Sequence, residues 1–274
     1  MNINPVIDAY NNNQEEIQGI FRSRLIVQIL LALGNGDKSL AELREITGSS
    51  SQAIIPKIRM LESMNYIESL KEGYSLTVIG DVLEKEIEKL VTIIGISDSK
   101  RDFWCNHDTR PVPPEFLERI GDLYNSEIMR DVDDNILSVY SLFLKILNEA
   151  ESVYAVSSIM SPAHAEAIKN TVLRDIHIDL IVTPDIIKTM TDEPYISIMR
   201  SISDHEYFRV YVYPENIRIG MTVTDKFLSF GLYSLETGCY DSSADLTSTD
   251  EKALEWGRNL FEHYKSKSKE FSFT

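Results

Sequence analysis

The run 39–77 constrains this chain more than any other stretch of it. Leu40, Leu43 and Ile46 recur at helical spacing and predict a short amphipathic helix over 39–47. Gly48 ends it, and Ser49, Ser50 and Ser51 offer a hydroxyl cap for a second helix. That helix is expected to run to about Asn65, with Ile54, Ile58, Leu61 and Met64 on one face. Two short helices across a tight Gly-containing turn form a helix-turn-helix. Residues 66–70 and 74–77 then read as strands around the charged turn Lys71-Glu72-Gly73. A helix-turn-helix followed by such a hairpin is a winged helix.

The outward face of the second helix decides what it can touch. With Ile54, Ile58 and Leu61 inward, Ser51, Gln52, Ile55, Pro56 and Arg59 face out; Ser50 stands at the helix start and Lys57 on the flank. Serine, glutamine and arginine suit base edges and phosphates in a major groove, and Lys71 on the wing suits a backbone phosphate. Double-stranded DNA is therefore the expected partner. Pro56 removes one backbone hydrogen bond and is expected to bend the axis. Ile55 and Pro56 cannot donate hydrogen bonds, which keeps open a winged helix used for protein contacts.

A formal charge of −16 over 274 residues is unusual for a DNA binder. Yet residues 20–80 carry seven basic and six acidic side chains, so the acidic load lies elsewhere. An acidic body repels DNA, which restricts contact to one face and weakens non-specific binding. Two reading heads in a homodimer would offset the modest basic charge of each. No apolar run reaches the ~18–20 residues that span a bilayer, and the acidic, Asn-rich N-terminus is unlike a signal peptide. A cytoplasmic location without membrane contact is expected. Cys105 and Cys239 do not suggest a disulfide framework.

The length suits two domains. The expected division is a winged-helix domain with a linker or dimerisation helix over 1–94, a helical connector over 95–150, and an α/β domain over 151–274. Residues 21–33 form a first core helix closed at Gly34-Asn35-Gly36, and 77–94 a long amphipathic helix after the wing. Residues 95–112 read as irregular, with helices over 115–124 and 133–150. From 151 the pattern alternates. Strands are expected at 152–157, 176–182, 209–213, 217–224 and 227–233. Helices are expected at 162–173, 185–190, 195–201 and 253–265, and 266–274 reads as a loose tail.

Little in this chain points to catalysis. Cys105 and His107 lack a second pair at zinc spacing, so no metal is expected. Neither a Gly-rich phosphate loop nor a G-x-S-x-G elbow occurs, and no cofactor is expected. The stretch Arg218-Ile219-Gly220-Met221-Thr222-Val223-Thr224-Asp225, followed by Tyr240-Asp241-Ser242-Ser243-Ala244-Asp245, resembles a decayed phospholipase D-type motif, His-x-Lys-x4-Asp and then Gly-Ser-x-Asn. Arg218 stands at the His position, Gly220 at the Lys position and Asp225 at the Asp position. With nucleophile and lysine replaced, phosphodiester cleavage by that route is not expected. What the resemblance implies is a pocket at strand ends with Arg218 binding an anion. Ser157, Ser158, His164, Asp225, Ser242 and Ser243 complete the candidate ligand set.

The chain as a whole resembles archaeal winged-helix regulators of the methanogenesis and filamentation type. The resemblance is carried by 50–62 (with Ile54-Ile55-Pro56 and Leu61-Glu62) and by Pro113-Pro114-Glu115-Phe116-Leu117-Glu118-Arg119-Ile120-Gly121. Further along it is carried by Val223-Thr224-Asp225-Lys226-Phe227-Leu228-Ser229-Phe230-Gly231-Leu232, Tyr240-Asp241-Ser242-Ser243 and Ala253-Leu254-Glu255-Trp256-Gly257. It covers roughly 20–265 and implies an N-terminal DNA-binding domain with a C-terminal domain sensing a small-molecule effector. The expectation is a regulator and not an enzyme. A phosphodiesterase-like enzyme using Asp225 or His164, or a protein-interaction module, each with a winged-helix head, are the alternatives.

Overall fold

The computed structural model describes residues 4–131 and 137–273. It is an α/β protein that divides into two compact units, Met1–Val91 and Thr92–Thr274.

The first unit opens with helices α1 (Pro5–Asn12), α2 (Gln14–Arg22) and α3 (Arg24–Gly34). Ile26, Ile29, Leu30 and Leu33 of α3 are buried at the unit's centre. Helix α4 (Leu40–Thr47) starts at a complete capping box, in which Ser39 and Glu42 satisfy each other's backbone N–H. Gly48, at φ 63°, takes the left-handed turn that a residue with a Cβ resists. Helix α5 (Ser51–Ser63) follows and runs through Pro56 without a break. Strands β1 (Ile67–Leu70) and β2 (Gly73–Leu76) pair antiparallel, with Leu70 opposite Gly73 at the turn. The predicted helix-turn-helix and hairpin are thus both present. One core expectation fails: Ile46 is 52% exposed, and α4 instead buries Leu43 and Thr47, whose hydroxyl is satisfied by the Leu43 carbonyl. Helix α6 (Val78–Ser99) continues five residues beyond the expected end at 94.

The second unit begins with α7 (Arg101–Asn106), where an irregular stretch is predicted, α8 (Pro114–Leu117) and a 3-10 turn, Ile120–Leu123. Next come β3 (Glu127–Arg130), α9 (Ser138–Glu149), β4 (Ser152–Ser157), α10 (Pro162–Val172) and β5 (His177–Val182). The start of the predicted 133–150 helix, residues 133–136, lies outside the described residues. Helices α11 (Pro184–Met190) and α12 (Tyr195–Arg200) lead to β6 (Phe208–Val212), β7 (Ile219–Thr224), β8 (Leu228–Leu232) and β9 (Ala244–Ser248). Helix α13 (Glu251–Lys265) and β10 (Lys269–Phe271) close the chain.

These strands make one sheet in the order β10-β6-β5-β4-β7-β8-β9-β3. β4, β5 and β6 run parallel through helical crossovers, and every other neighbour is antiparallel. Strands β3, β9 and β10 are not predicted. All three are edge or near-edge strands of three to five residues, too short for periodicity to show. The predicted loose tail instead pairs with β6.

Each face of the sheet carries its own core. On one, Trp256, Leu260 and Phe261 of α13 pack against Met221, Val223, Leu228 and Phe230. On the other, α9, α10, α11 and α12 cover Val153, Ile178, Leu180 and Val182. Strands β7, β8 and β9 break the symmetry. Ile219, Met221, Val223, Leu228, Phe230, Leu232 and Leu246 belong to the α13 core, while the alternate positions include Gly220, Thr222, Ser229, Gly231 and Asp245. The opposite face there is polar yet buried.

Candidate nucleic-acid interface and ligand cavity

In the first unit, Ile54, Ile58 and Leu61 are buried as predicted, which fixes the outward face of α5. Ser50, Gln52, Pro56 and Arg59 are exposed, and Ser51, Ile55 and Lys57 are half-buried. Ser50 holds the N-cap position but makes no capping hydrogen bond, which leaves its hydroxyl and the first N–H groups of α5 open. Lys71 is exposed at the β1–β2 turn. Neither Arg59 nor Lys71 has an ion-pair partner among the described residues. This is the condition for binding phosphate: helix start and cations are not already neutralised.

In the second unit, a cavity of about 140 Å³ lies over β4, β7, β8 and β9 and beneath α9 and α10. Phe143, Leu147, Val153, Ile168, Ile178 and Leu180 form its apolar wall. Thr222, Ser229, Tyr240 and Asp245 form its polar end. Ser229 donates a 2.5 Å hydrogen bond to Asp245 Oδ2, and the Tyr240 hydroxyl lies 3.4 Å from Oδ1. Burial pushes the Asp245 carboxyl up to about 6, against the opposing effect of these two donors. Burial likewise raises the Tyr240 phenol well above its ordinary range, so it stays protonated.

Gly220 and Gly231 make this arrangement possible. They sit opposite each other on β7 and β8, and a Cβ on either would collide with the Tyr240 ring and hydroxyl. Paired glycines inside strands are the one sequence signal that could have pointed to Tyr240.

Of the predicted ligand residues, Ser157, His164 and Ser242 line the cavity. Ser161 Oγ accepts the His164 backbone N–H and lies 2.6 Å from Nδ1, so its proton is free to go to that nitrogen. Desolvation lowers the His164 pKa, which gives a neutral ring with its proton on Nε2.

The other four belong elsewhere. Ser158 donates to the Ile219 carbonyl. Ser243 donates to Asp241, whose carboxyl also meets His107 Nε2 at 3.0 Å. Burial alone would raise the Asp241 pKa, but bonds from Ser243 and His107 lower it. Arg218 stacks 4.5 Å from the Tyr233 ring centre, donates to the Gly238 carbonyl and approaches Asp108 at 3.9 Å. It is a clamp on the 233–240 loop and not a wall of the cavity. Asp225 sits in the β7–β8 turn, where it accepts the Glu151 N–H at 2.8 Å and pairs with Lys226. The expected anion pocket around Arg218 is therefore not assembled, and Asp225 and His164 do not share the cavity.

Residues 14–95 match the N-terminal domain, and residues 136–267 the middle domain, of the family described as methanogenesis regulatory protein FilR1. The curated methanogenesis regulatory protein FilR1 of Methanothrix harundinacea (strain 6Ac) is 28% identical over 251 residues, 90% of this chain and 56% of that protein. The chain thus spans little more than half the length of this curated relative. Among solved structures, the archaeal chromatin protein TrmBL2 aligns at 16% identity over 93% of this chain and 97% of its own, with a TM-score of 0.42. The phospholipase D family member Nuc from Salmonella typhimurium aligns at 11% identity over 54% of this chain and 97% of its own, with a TM-score of 0.41. At these scores neither superposition bears on function. Among the described residues no single helix is long and apolar enough to cross a membrane. With two matched domains in order, together spanning most of its length, the chain belongs to the FilR1 methanogenesis regulatory protein family.

Proposed function

We propose that this chain is a DNA-binding transcriptional regulator, with a winged head that reads double-stranded DNA and a second unit that binds a small effector. The observation that carries this reading is the outward face of α5 and its wing. Ser50, Gln52, Arg59 and Lys71 stand exposed together on one small module, with both cations unpaired among the described residues, in a chain whose net charge is −16. The match to a regulatory family supports it.

The cavity supports the effector half. An effector changes DNA affinity only if it binds two states of the chain unequally, and DNA must then change effector affinity by the same factor. A homodimer is part of the reading: Val78, Val82, Leu90 and Ile94 are exposed apolar residues along α6.

The test is fluorescence anisotropy of the purified chain on labelled genomic fragments across a salt series. Log affinity falls linearly with log salt, and specific fragments bind on the order of 10³-fold or more tighter than random ones. No binding even in dilute buffer overturns the reading.

A further inference from the structure

We propose that the cavity over β4, β7, β8 and β9 takes a small organic amine, an apolar body about the size of one benzene ring whose ammonium group pairs with Asp245. The inference rests on the effector reading above and names the chemistry of the effector.

Size comes first. A cavity of about 140 Å³ is comparable to the roughly 150 Å³ apolar cavity that holds benzene. Its wall of Phe143, Leu147, Val153, Ile168, Ile178 and Leu180 offers nothing to a polar body, so the polar part of a ligand must go to the other end.

Charge decides what that part is. Among the described residues the lining contains one acid, Asp245, and no lysine or arginine. Asp245 is 8% exposed, and its partners Ser229 and Tyr240 are neutral hydroxyls that orient a carboxylate without balancing its charge. A buried carboxylate without a cation is unfavourable, and an ammonium is the group that relieves it. His164 does not fill that role, because burial keeps it neutral. Arg218, which could have served an anion, is held by Tyr233, Gly238 and Asp108 outside the cavity. Thr222 lines the same end, and its hydroxyl has no hydrogen-bond partner among the described residues. It stands ready to accept a second ammonium proton. A carboxylate or phosphate ligand would meet Asp245 with no compensating cation.

The experiment is calorimetric titration of the full chain with benzylamine, benzyl alcohol and benzoate. Benzylamine binds saturably and about tenfold or more tighter than benzyl alcohol, the difference expected of one charge-assisted hydrogen bond. Benzoate does not bind. Asp245→Asn keeps shape and removes charge, so benzylamine falls to the affinity of the alcohol. Ala155→Leu, which fills the cavity from β4, abolishes binding of both benzylamine and benzyl alcohol. Tryptophan fluorescence verifies that both variants are folded. Benzyl alcohol or benzoate binding as tightly as benzylamine, or an Asp245→Asn variant that keeps the amine preference, overturns the amine assignment and leaves the effector reading standing. Failure of all three probes to bind saturably overturns both.

Discussion

Ser229 on β8 donates a 2.5 Å hydrogen bond to Asp245 on β9, and the pair sits in the buried polar end of a cavity whose other wall is apolar. The Tyr240 hydroxyl, 3.4 Å from the other carboxylate oxygen, closes the group. A titratable carboxyl is thereby held out of water in a cavity lined by no lysine or arginine, with Asp241 and His107 acting on it in opposite directions, and that has a consequence for stability.

Burial raises the folded-state pKa of Asp245 from 3.8 to about 6. A raised pKa means the folded chain holds this proton more tightly than the unfolded chain does. Its stabilising effect is complete below about pH 4 and is lost as pH rises through about 6. Two pKa units correspond to roughly 3 kcal/mol. Asp245→Asn cannot titrate, so its stability relative to the native chain is more favourable at pH 8 than at pH 4 by about that amount. Urea unfolding followed by tryptophan fluorescence reads the second unit alone, since both tryptophans, Trp104 and Trp256, lie there. A difference that stays flat between the two pH values would refute the assignment of Asp245 as the buried acid.

Gly231→Ala places a methyl group against the Tyr240 hydroxyl and the Asp245 carboxylate. Overpacking of this kind costs about 1–3 kcal/mol. If the clash is with the hydroxyl, Tyr240→Phe in the same chain recovers part of the loss. A double-mutant cycle on urea midpoints measures the coupling, and strict additivity would place Tyr240 away from Gly231.

Trp256 is fully buried, meets Phe116 and Phe230 edge-on at 5.8 and 5.3 Å, and donates its Nε1–H to the Phe116 carbonyl at 3.1 Å. Trp256→Ala is expected to destabilise the second unit by about 3–5 kcal/mol. Trp104 remains as the fluorescent reporter, and a loss under 1 kcal/mol would contradict this packing.

On DNA, Arg59→Ala and Lys71→Ala are expected to differ in kind. A base-reading arginine costs about 1–3 kcal/mol and relaxes preference at one position, whereas a phosphate-binding lysine weakens all sequences alike and lowers the salt slope by about 1. Anisotropy on specific and scrambled duplexes separates the two. Equal losses on both duplexes for Arg59→Ala would move it off the base edges.

The first unit was largely legible because its signals are local. Leu40 and Leu43 recur at helical spacing, Gly48 takes the left-handed turn that ends α4, and Lys71-Glu72-Gly73 is a hairpin turn in place. Ile46 is the exception, since local periodicity does not say which apolar residue lacks a neighbour to pack against. The cavity was only partly legible. Ser157, His164 and Ser242 of the expected ligand set line it, but Arg218 and Asp225 were read from a motif whose residues serve a loop clamp and a turn.

What the order of residues determined by itself was the winged head, the strand–helix alternation that supplies β4, β5 and β6, and the outward face of α5. All three follow from periodicity, capping and turn chemistry within a few residues of one another. What only the tertiary structure decided was the fate of the polar phase on β7, β8 and β9. Alternation marks Thr222, Ser229 and Asp245 as the face turned away from α13, and such a face is ordinarily solvated. The sheet order sets β4 beside β7, and α9 and α10 roof it, so long-range packing converts a solvent face into the wall of a cavity.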